Sequence, residues 1–469
     1  MSSDGESATE TRAALDRIAE IDPQIRAVNA VNPRALAEAE SADRETAAGR
    51  SRSPLHGRPV LIKDNIDTAG LASTAGSLAL ADEPPAGDAT LVRRLRESGM
   101  VVLGKTNLSE WANIRDEHAT SGWSAHGGLT RNPYALNRTA WGSSSGSGAA
   151  IAARLASFAI GTETNGSILS PSSLNGLVGL KPTVGLVSGK GVIPISPRQD
   201  TAGPMCRTVA DAAVLAAVIA ERPLGFGAHG TDLEAFRLAG VRIGTMPLPR
   251  SAHPQTAGLY ANARTLLEHE GAVLIDLKEP AAFHDADEAE FEALLFEFKD
   301  ALNAYLATLD PGAVESRTLA DLIAFNKAHA TQELPIFGQE IFELAEAHGT
   351  LTDPDYRKAL ATLEHACDTD GLATLFAQQG VEVLLSASNG PAERIDEVWG
   401  DRHDGGFSEI ASAAAVAGYP SLTVPAGQVR NLPVGITLVG RRNQDGLLLQ
   451  VARAYERASS ARMPPRLEG

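Results

Sequence analysis

Apolar residues recur at i, i+3 and i+4 over residues 9–21 and again over 34–48, a spacing that puts them on one stripe and predicts two amphipathic helices. From residue 60 onward the texture changes. Short branched apolar runs at 60–62, 101–103 and 178–180 predict strands, with a helical stretch at 90–98 between the first two. The alternation returns at 381–385, 422–424 and 435–439, and a helical pattern follows at 447–458. Strands of unbroken apolar character alternating with helices belong in a sheet covered on both faces, so the pattern predicts an α/β architecture. Between residues 225 and 380 helix follows helix, for example at 288–306, 319–329 and 339–348. Because strands resume afterwards, a helical insertion is expected over 281–350 rather than a separate domain. The expected organisation is N-terminal helices in 1–50 packing on one unit over 51–469 that carries this insertion.

Charge narrows the partners. The 469 residues carry 41 Lys and Arg against 58 Asp and Glu, a formal net charge of −17. Such an excess repels phosphate backbones and anionic headgroups, so neither nucleic acid nor a membrane surface is an expected partner. Hydrophobic residues at 43% and charged residues at 21% are those of a globular chain, not a disordered one. No window approaches ~18 uncharged apolar residues, and residues 1–30 lack the apolar core of a secretory signal. A cytoplasmic protein is expected. Two cysteines, Cys206 and Cys367, are too few for a disulfide framework or a thiolate metal site.

Candidate chemistry concentrates in two glycine- and serine-rich stretches. The first, Trp141-Gly-Ser-Ser-Ser-Gly-Ser-Gly-Ala-Ala150, opens a helical run to Ala156. It gathers backbone N–H groups and hydroxyls that suit an anion, an oxyanion or a tight helix start. It lacks the Gly-Lys-Ser/Thr of a phosphate loop and the third glycine of a dinucleotide fingerprint. Gly142-Ser-Ser144-Ser-Gly146 satisfies the nucleophile-elbow pattern, but 137–141 does not read as the strand an elbow requires. The second stretch, Gly161-Thr-Glu-Thr-Asn-Gly-Ser-Ile-Leu-Ser-Pro171, follows an apolar run and could turn several N–H groups toward one point near Ser167. On its own it also fits a polar turn with a capping serine. A helix of about eleven residues after Ser143, ~16 Å long, followed by an extended return could bring Ser143 and Ser167 to one edge.

A serine nucleophile needs a base. None of the eleven histidines lies in either stretch, and none forms a His-Glu-x-x-His pair; His56 and His126 are nearest and read as loop residues. Burial can bring a lysine toward neutrality, and Lys63, Lys105 and Lys181 each follow an apolar run. The residues alone do not choose among the three.

Leu61-Ile-Lys-Asp-Asn65, Gly-Ser-Ser at 142–144 and Gly161-Thr-Glu-Thr-Asn-Gly-Ser-Ile168, in this order and spacing, resemble the amidase signature family of Ser-Ser-Lys hydrolases. The likeness runs from about residue 10 to 460 and includes Gly418-Tyr-Pro-Ser-Leu-Thr-Val-Pro425 and Leu432-Pro-Val-Gly-Ile436. It implies a single α/β/α unit around a large mixed sheet and amide hydrolysis without metal or cofactor. It also implies Ser167 as nucleophile, Ser143 as bridging serine after a cis peptide, and Lys63 as base. Ser144 would help hold Lys63, and the N–H groups of Thr164, Asn165, Gly166 and Ser167 would receive the oxyanion.

Gly104-Lys-Thr-Asn-Leu-Ser-Glu-Trp-Ala-Asn113, Asn175-Gly-Leu-Val-Gly-Leu-Lys-Pro-Thr183, Asp200-Thr-Ala-Gly-Pro204 and the stretch from Ala324 to Pro335 are most similar to bacterial peptide amidases, which cleave the C-terminal carboxamide of peptides. Departures fall at Trp141, where the family commonly has Gly or Cys, Asn165 (Gly or Asp) and Leu169 (Arg), and at Trp399, where the peptide amidase group is expected to have Asn. The two tryptophans are expected to shape the acyl side of the pocket. Two other readings are an aryl or acyl amide hydrolase and the amidase-like subunit of a tRNA-dependent amidotransferase. Against the latter stand Asn165, Leu169 and the acidic charge.

Overall fold

The computed structural model describes residues 5–81, 84–226, 231–249, 252–402 and 406–467, without the side chain of Gln379. Residues 1–4 and 468–469, the ends of the two expected regions, lie outside the described residues.

Eleven strands among the described residues form one mixed sheet. From edge to edge they are Val28–Val31, Val101–Thr106, Pro59–Lys63, Phe158–Glu163, Thr201–Cys206, Val178–Lys181, Ser421–Val429, Leu432–Gly440, Val383–Ala387, Arg242–Thr245 and Val273–Asp276. Pro59–Lys63 runs parallel to both its neighbours, whereas the strands from Phe158–Glu163 through Val383–Ala387 pair antiparallel. Strand residues alternate between the faces. Val60, Ile62, Phe158 and Ile160 join a large cluster with helices Thr90–Glu97, Val209–Ile219, Pro254–His269 and Asp445–Ser459. Leu61 and Ala159 meet the opposite layer, where helices Glu6–Ile25, Ala35–Ala47 and Ser145–Ala152 pack. Each fully buried Val, Leu or Ile contributes about 1.5–3 kcal/mol, so both layers are strongly held. The α/β/α architecture implied by the resemblance is the one observed.

Apolar periodicity located most of the central elements but not all. Val28–Val31, Thr201–Cys206, Arg242–Thr245 and Val273–Asp276 are strands that the pattern did not supply. The last two fall inside the block read as helix after helix, and each spans four residues with a polar or charged end. From Ala281 to Ala377 the described elements are helical, a stretch that continues past residue 350. Ala135–Thr139 is also a strand, contrary to expectation; it pairs with Arg131–Asn132 in a small hairpin apart from the main sheet. Half-exposed and mostly polar, it lacked an apolar signature. It ends three residues before Gly142 and does not feed a nucleophile elbow.

Gly146 lets helix Ser145–Ala152 lie directly on backbone. A Cβ there would stand 2.3 Å from the Ala27 carbonyl oxygen and 2.5 Å from that of Asn107. Much of the glycine and serine crowding near 142–148 therefore serves close helix packing as well as any chemistry.

Candidate active site

Lys63 ends a strand buried at every position. It shares a face with Leu61, the face on which Ser145–Ala152 packs, so the side chain is directed to the start of that helix. Nζ lies 2.7 Å from Ser143 Oγ, 2.9 Å from Thr162 Oγ1 and 3.3 Å from the Thr162 carbonyl oxygen. Burial pushes the Lys63 amine down to about 7, against an upward pull from Asp200 and Glu163. The other two lysines have different surroundings. Lys105 stands 3.2 Å from the Asp64 carboxylate and bonds the Ile66 carbonyl and Ser73. Lys181 donates to the Pro182 carbonyl and feels Glu163 and Asp445; burial lowers it to about 8. Only Lys63, of the three, meets a serine of the two glycine-rich stretches.

The Gly142–Ser143 peptide is cis, and the Ser143 carbonyl accepts from the Ser109 N–H at 3.0 Å. Helix Ser145–Ala152 then runs away from this point and strand Phe158–Glu163 returns to it. The helix is eight residues long, shorter than expected, yet the return is complete: the Ser144 N–H donates to the Ser167 carbonyl at 3.2 Å. Ser144 Oγ donates to the Thr162 carbonyl at 3.0 Å and accepts from the Thr162 N–H at 3.2 Å. Ser144 and Lys63 thus share Thr162 as a partner. Asn65 Nδ2 also donates to Thr162 Oγ1, at 3.0 Å.

Ser167 is half-buried in the turn between strand Phe158–Glu163 and helix Leu169–Leu174. Gly166 holds φ at +81°, a left-handed value that favours glycine, and a Cβ there would stand 3.4 Å from the Phe407 ring. Side chains behind the turn fix its shape. Glu163 Oε2 accepts from the N–H groups of Ile168 (2.7 Å) and Leu169 (2.9 Å). Thr164 Oγ1 donates to Asp200 at 2.6 Å, and Asp200 accepts the Ile195 and Ser196 N–H groups at 2.8 and 3.0 Å. Burial raises Asp200 to about 6. Asn165 Nδ2 reaches Glu290, on helix Ala286–Thr308, and Ser412.

Trp141 is half-buried and packs with Leu174, Ala392 and Leu432. Trp399 is 67% exposed on a turn whose N–H is held by Asp396. Its loop is tied to the segment before the first glycine-rich stretch, where Asp401 accepts the Ser121 N–H at 3.1 Å. His56 lies against the Ala42 carbonyl, away from both serines. Beyond Phe407 opens a cavity of about 780 Å³ lined in part by Asn389, Ser388, Ser408, Leu248 and His284.

Thr162, Asp200, Ser109 and Glu290 were not singled out from sequence. Thr162 and Asp200 do fall within stretches that carried the resemblance; Ser109 belongs to another, and Glu290 is one acid among many on its helix.

A family model described as Amidase matches residues 10–449. The crystallised native peptide amidase from Stenotrophomonas maltophilia is 47% identical and superposes with a TM-score of 0.91, covering 99% of this chain and 96% of that one. A protein of Arabidopsis thaliana named a probable amidase is 39% identical over 96% of this chain and 86% of its own. A glutamyl-tRNA(Gln) amidotransferase subunit from Myxococcus xanthus is 35% identical over 97% of this chain and 94% of its own.

Proposed function

The chain belongs to the amidase family and hydrolyses amide C–N bonds; from that premise we propose that its substrate is the C-terminal carboxamide of peptides, cleaved through an acyl-enzyme on Ser167. The observation that carries the mechanism is the 2.7 Å approach of a fully buried Lys63 Nζ to Ser143 Oγ, beside a Ser144 N–H tied to the Ser167 carbonyl. Lys63, neutral above about pH 7, takes the Ser143 proton as Ser143 takes that of Ser167. Ser167 Oγ attacks the carboxamide carbon. The developing oxyanion is received by the N–H groups of Thr164, Asn165, Gly166 and Ser167. Running backward, the relay protonates the departing nitrogen as ammonia, and water then repeats the sequence to release the acid. Ser144 supports the relay through Thr162.

The peptide end of the reading is supported by the 47% identity to a peptide amidase and by the cavity beyond Phe407, which has room for acyl bulk. In it, the exposed Trp399 contributes apolar surface to the acyl side, and Trp141 shapes that side through packing. The reading also places the enzyme in the cytoplasm, consistent with two buried free thiols. No helix among the described residues is long and apolar enough to cross a membrane.

The test is ammonia release by the purified chain from peptide amides and matched anilides, with denaturing mass spectrometry for an acyl adduct on Ser167. Peptide amide turnover with a transient adduct is expected. Anilide turnover alone would select the aryl amide hydrolase. No turnover without a partner subunit would select the amidotransferase role.

A further inference from the structure

Helix Ala286–Thr308 buries two acids, Glu290 and Glu297, seven residues apart and therefore on one stripe. Both face the segment 196–200, but their partners differ. Glu297 has a cation: Arg198 Nε stands 3.0 Å away, and Ser196 Oγ and Tyr356 OH donate to the same carboxylate. Glu290 is held by amides. Asn165 Nδ2 lies 3.0 and 2.9 Å from its two oxygens, and Gln199 Nε2 donates to Oε1 at 2.6 Å. Burial raises the Glu290 carboxyl, with the two amides opposing the rise. A buried carboxylate is costly unless its hydrogen bonds are made, so this one holds its donors firmly.

Those donors converge on residues 164–167. Gln199 Nε2 is also 3.4 Å from the Thr164 carbonyl, and Arg198 Nη2 donates to Gln199 Oε1 at 2.6 Å, fixing which way that amide points. Ser412 Oγ accepts from Asn165 Nδ2 at 2.8 Å on another side. Together with the Thr164–Asp200 bond, the side chains of two consecutive residues of the turn are anchored in the protein body.

We propose that Glu290 is a positioning residue: acting through Asn165, it sets the orientation of the backbone N–H groups at 164–167 and so couples the long helix to transition-state stabilisation. The inference rests on the reading of 164–167 as the oxyanion loop. A loop held this way stabilises charge that appears only in the transition state, so its loss is read in kcat and leaves KM nearly unchanged. The pair also has a polarity. An amide at 165 donates to a carboxylate at 290. Aspartate at 165 sets two carboxylates against each other, and glutamine at 290 restores one donor and one acceptor in reverse.

The experiment is steady-state kinetics of ammonia release from a dipeptide amide by the wild type, Asn165→Asp, Glu290→Gln and the double variant, with thermal midpoints measured alongside. Each single substitution should lower kcat on the order of tenfold, the size of a lost charge-assisted hydrogen bond, with KM within about twofold. The double variant should recover to within about threefold of wild type. Unchanged kcat in Glu290→Gln, or a double variant no faster than the slower single one, would overturn the proposal, as would losses confined to KM. If Asn165→Asp does not fold, Glu290→Gln, which keeps shape and volume, decides alone at saturating substrate. Ser167→Ala serves as the reference. Activity surviving in it refutes the site itself, whereas an inactive Ser167→Ala beside a fully active Glu290→Gln refutes only the role of Glu290.

Discussion

A lysine works as a base only where its neutral form is populated, and the surroundings of Lys63 set where that is. With the amine pushed down to about 7 by burial, Lys63 is protonated below that pH and neutral above it. The kcat/KM for a peptide amide with no titrating group should therefore rise through about pH 7 and level off above it; a profile that peaks in acid contradicts Lys63 as base. Asp200 pulls the amine upward, so Asp200→Asn removes support for the charged form and should move this limb to lower pH. The same variant removes the charge from the Thr164 contact and, with its oxygen kept on the Ile195 and Ser196 N–H groups, reverses that bond, so its plateau should also fall. Ser167→Ala should abolish turnover while circular dichroism stays native. Lys63→Ala and Ser143→Ala should each cost at least ~10³-fold in kcat, and the pair little more than either alone, because members of one relay are not additive. Near wild-type turnover in Lys63→Ala would remove the lysine from the mechanism.

At the scale of elements, one helix and one strand do most of the assembly. Ser145–Ala152 lies so close to the backbone at Ala27 and Asn107 that Gly146→Ala must displace it; a loss of about 1–3 kcal/mol is expected from the urea midpoint. Activity should fall with it, since Ser143 and Ser144 stand at the same helix start. Most central strands were legible in the sequence because burial on both faces favours apolar runs, as in Val60, Leu61 and Ile62, whereas the equally buried Thr201–Cys206, with Thr, Gly and Pro in it, shows no such run. Arg242–Thr245 and Val273–Asp276 were not, because four residues at or beside a sheet edge need no such run. The three lysines illustrate the same limit. Each ends an apolar run, and what separates Lys63 from Lys105 is that Ser143 of the first glycine-rich stretch stands opposite the one and the Asp64 carboxylate opposite the other, a fact about pairs of distant residues. Glu290 was invisible for that reason too: its helix is rich in acids, and only packing shows which of them is turned inward.

Across the whole molecule, a buried ionic cluster joins the helical stretch to the segment preceding the site. Arg115, fully buried, pairs with Glu110, donates to the carbonyls of Glu333 (2.8 Å) and Phe337 (3.3 Å), and lies 4.2 Å from the centre of the Phe337 ring. Arg115→Met would leave the buried carboxylates of Glu110 and Glu333 without it, and should cost about 3–5 kcal/mol in urea denaturation. An unchanged midpoint would show that the cluster is not a structural joint. The order of strands carries a further consequence, for biosynthesis. The hairpin of Ser421–Val429 and Leu432–Gly440 lies between six strands drawn from residues 28–206 and three drawn from 242–387. Lys63, Ser143 and Ser167 all lie within residues 28–206, yet the strands of that span end in the buried Val178–Lys181, whose partner on the open side, Ser421–Val429, belongs to the last hairpin translated. A growing chain therefore holds its whole proposed catalytic apparatus through a long part of translation beside an unpaired sheet edge, a site for self-association. Chains arrested before residue 420 should be protease-sensitive and prone to aggregate, and those that have released residue 440 should not.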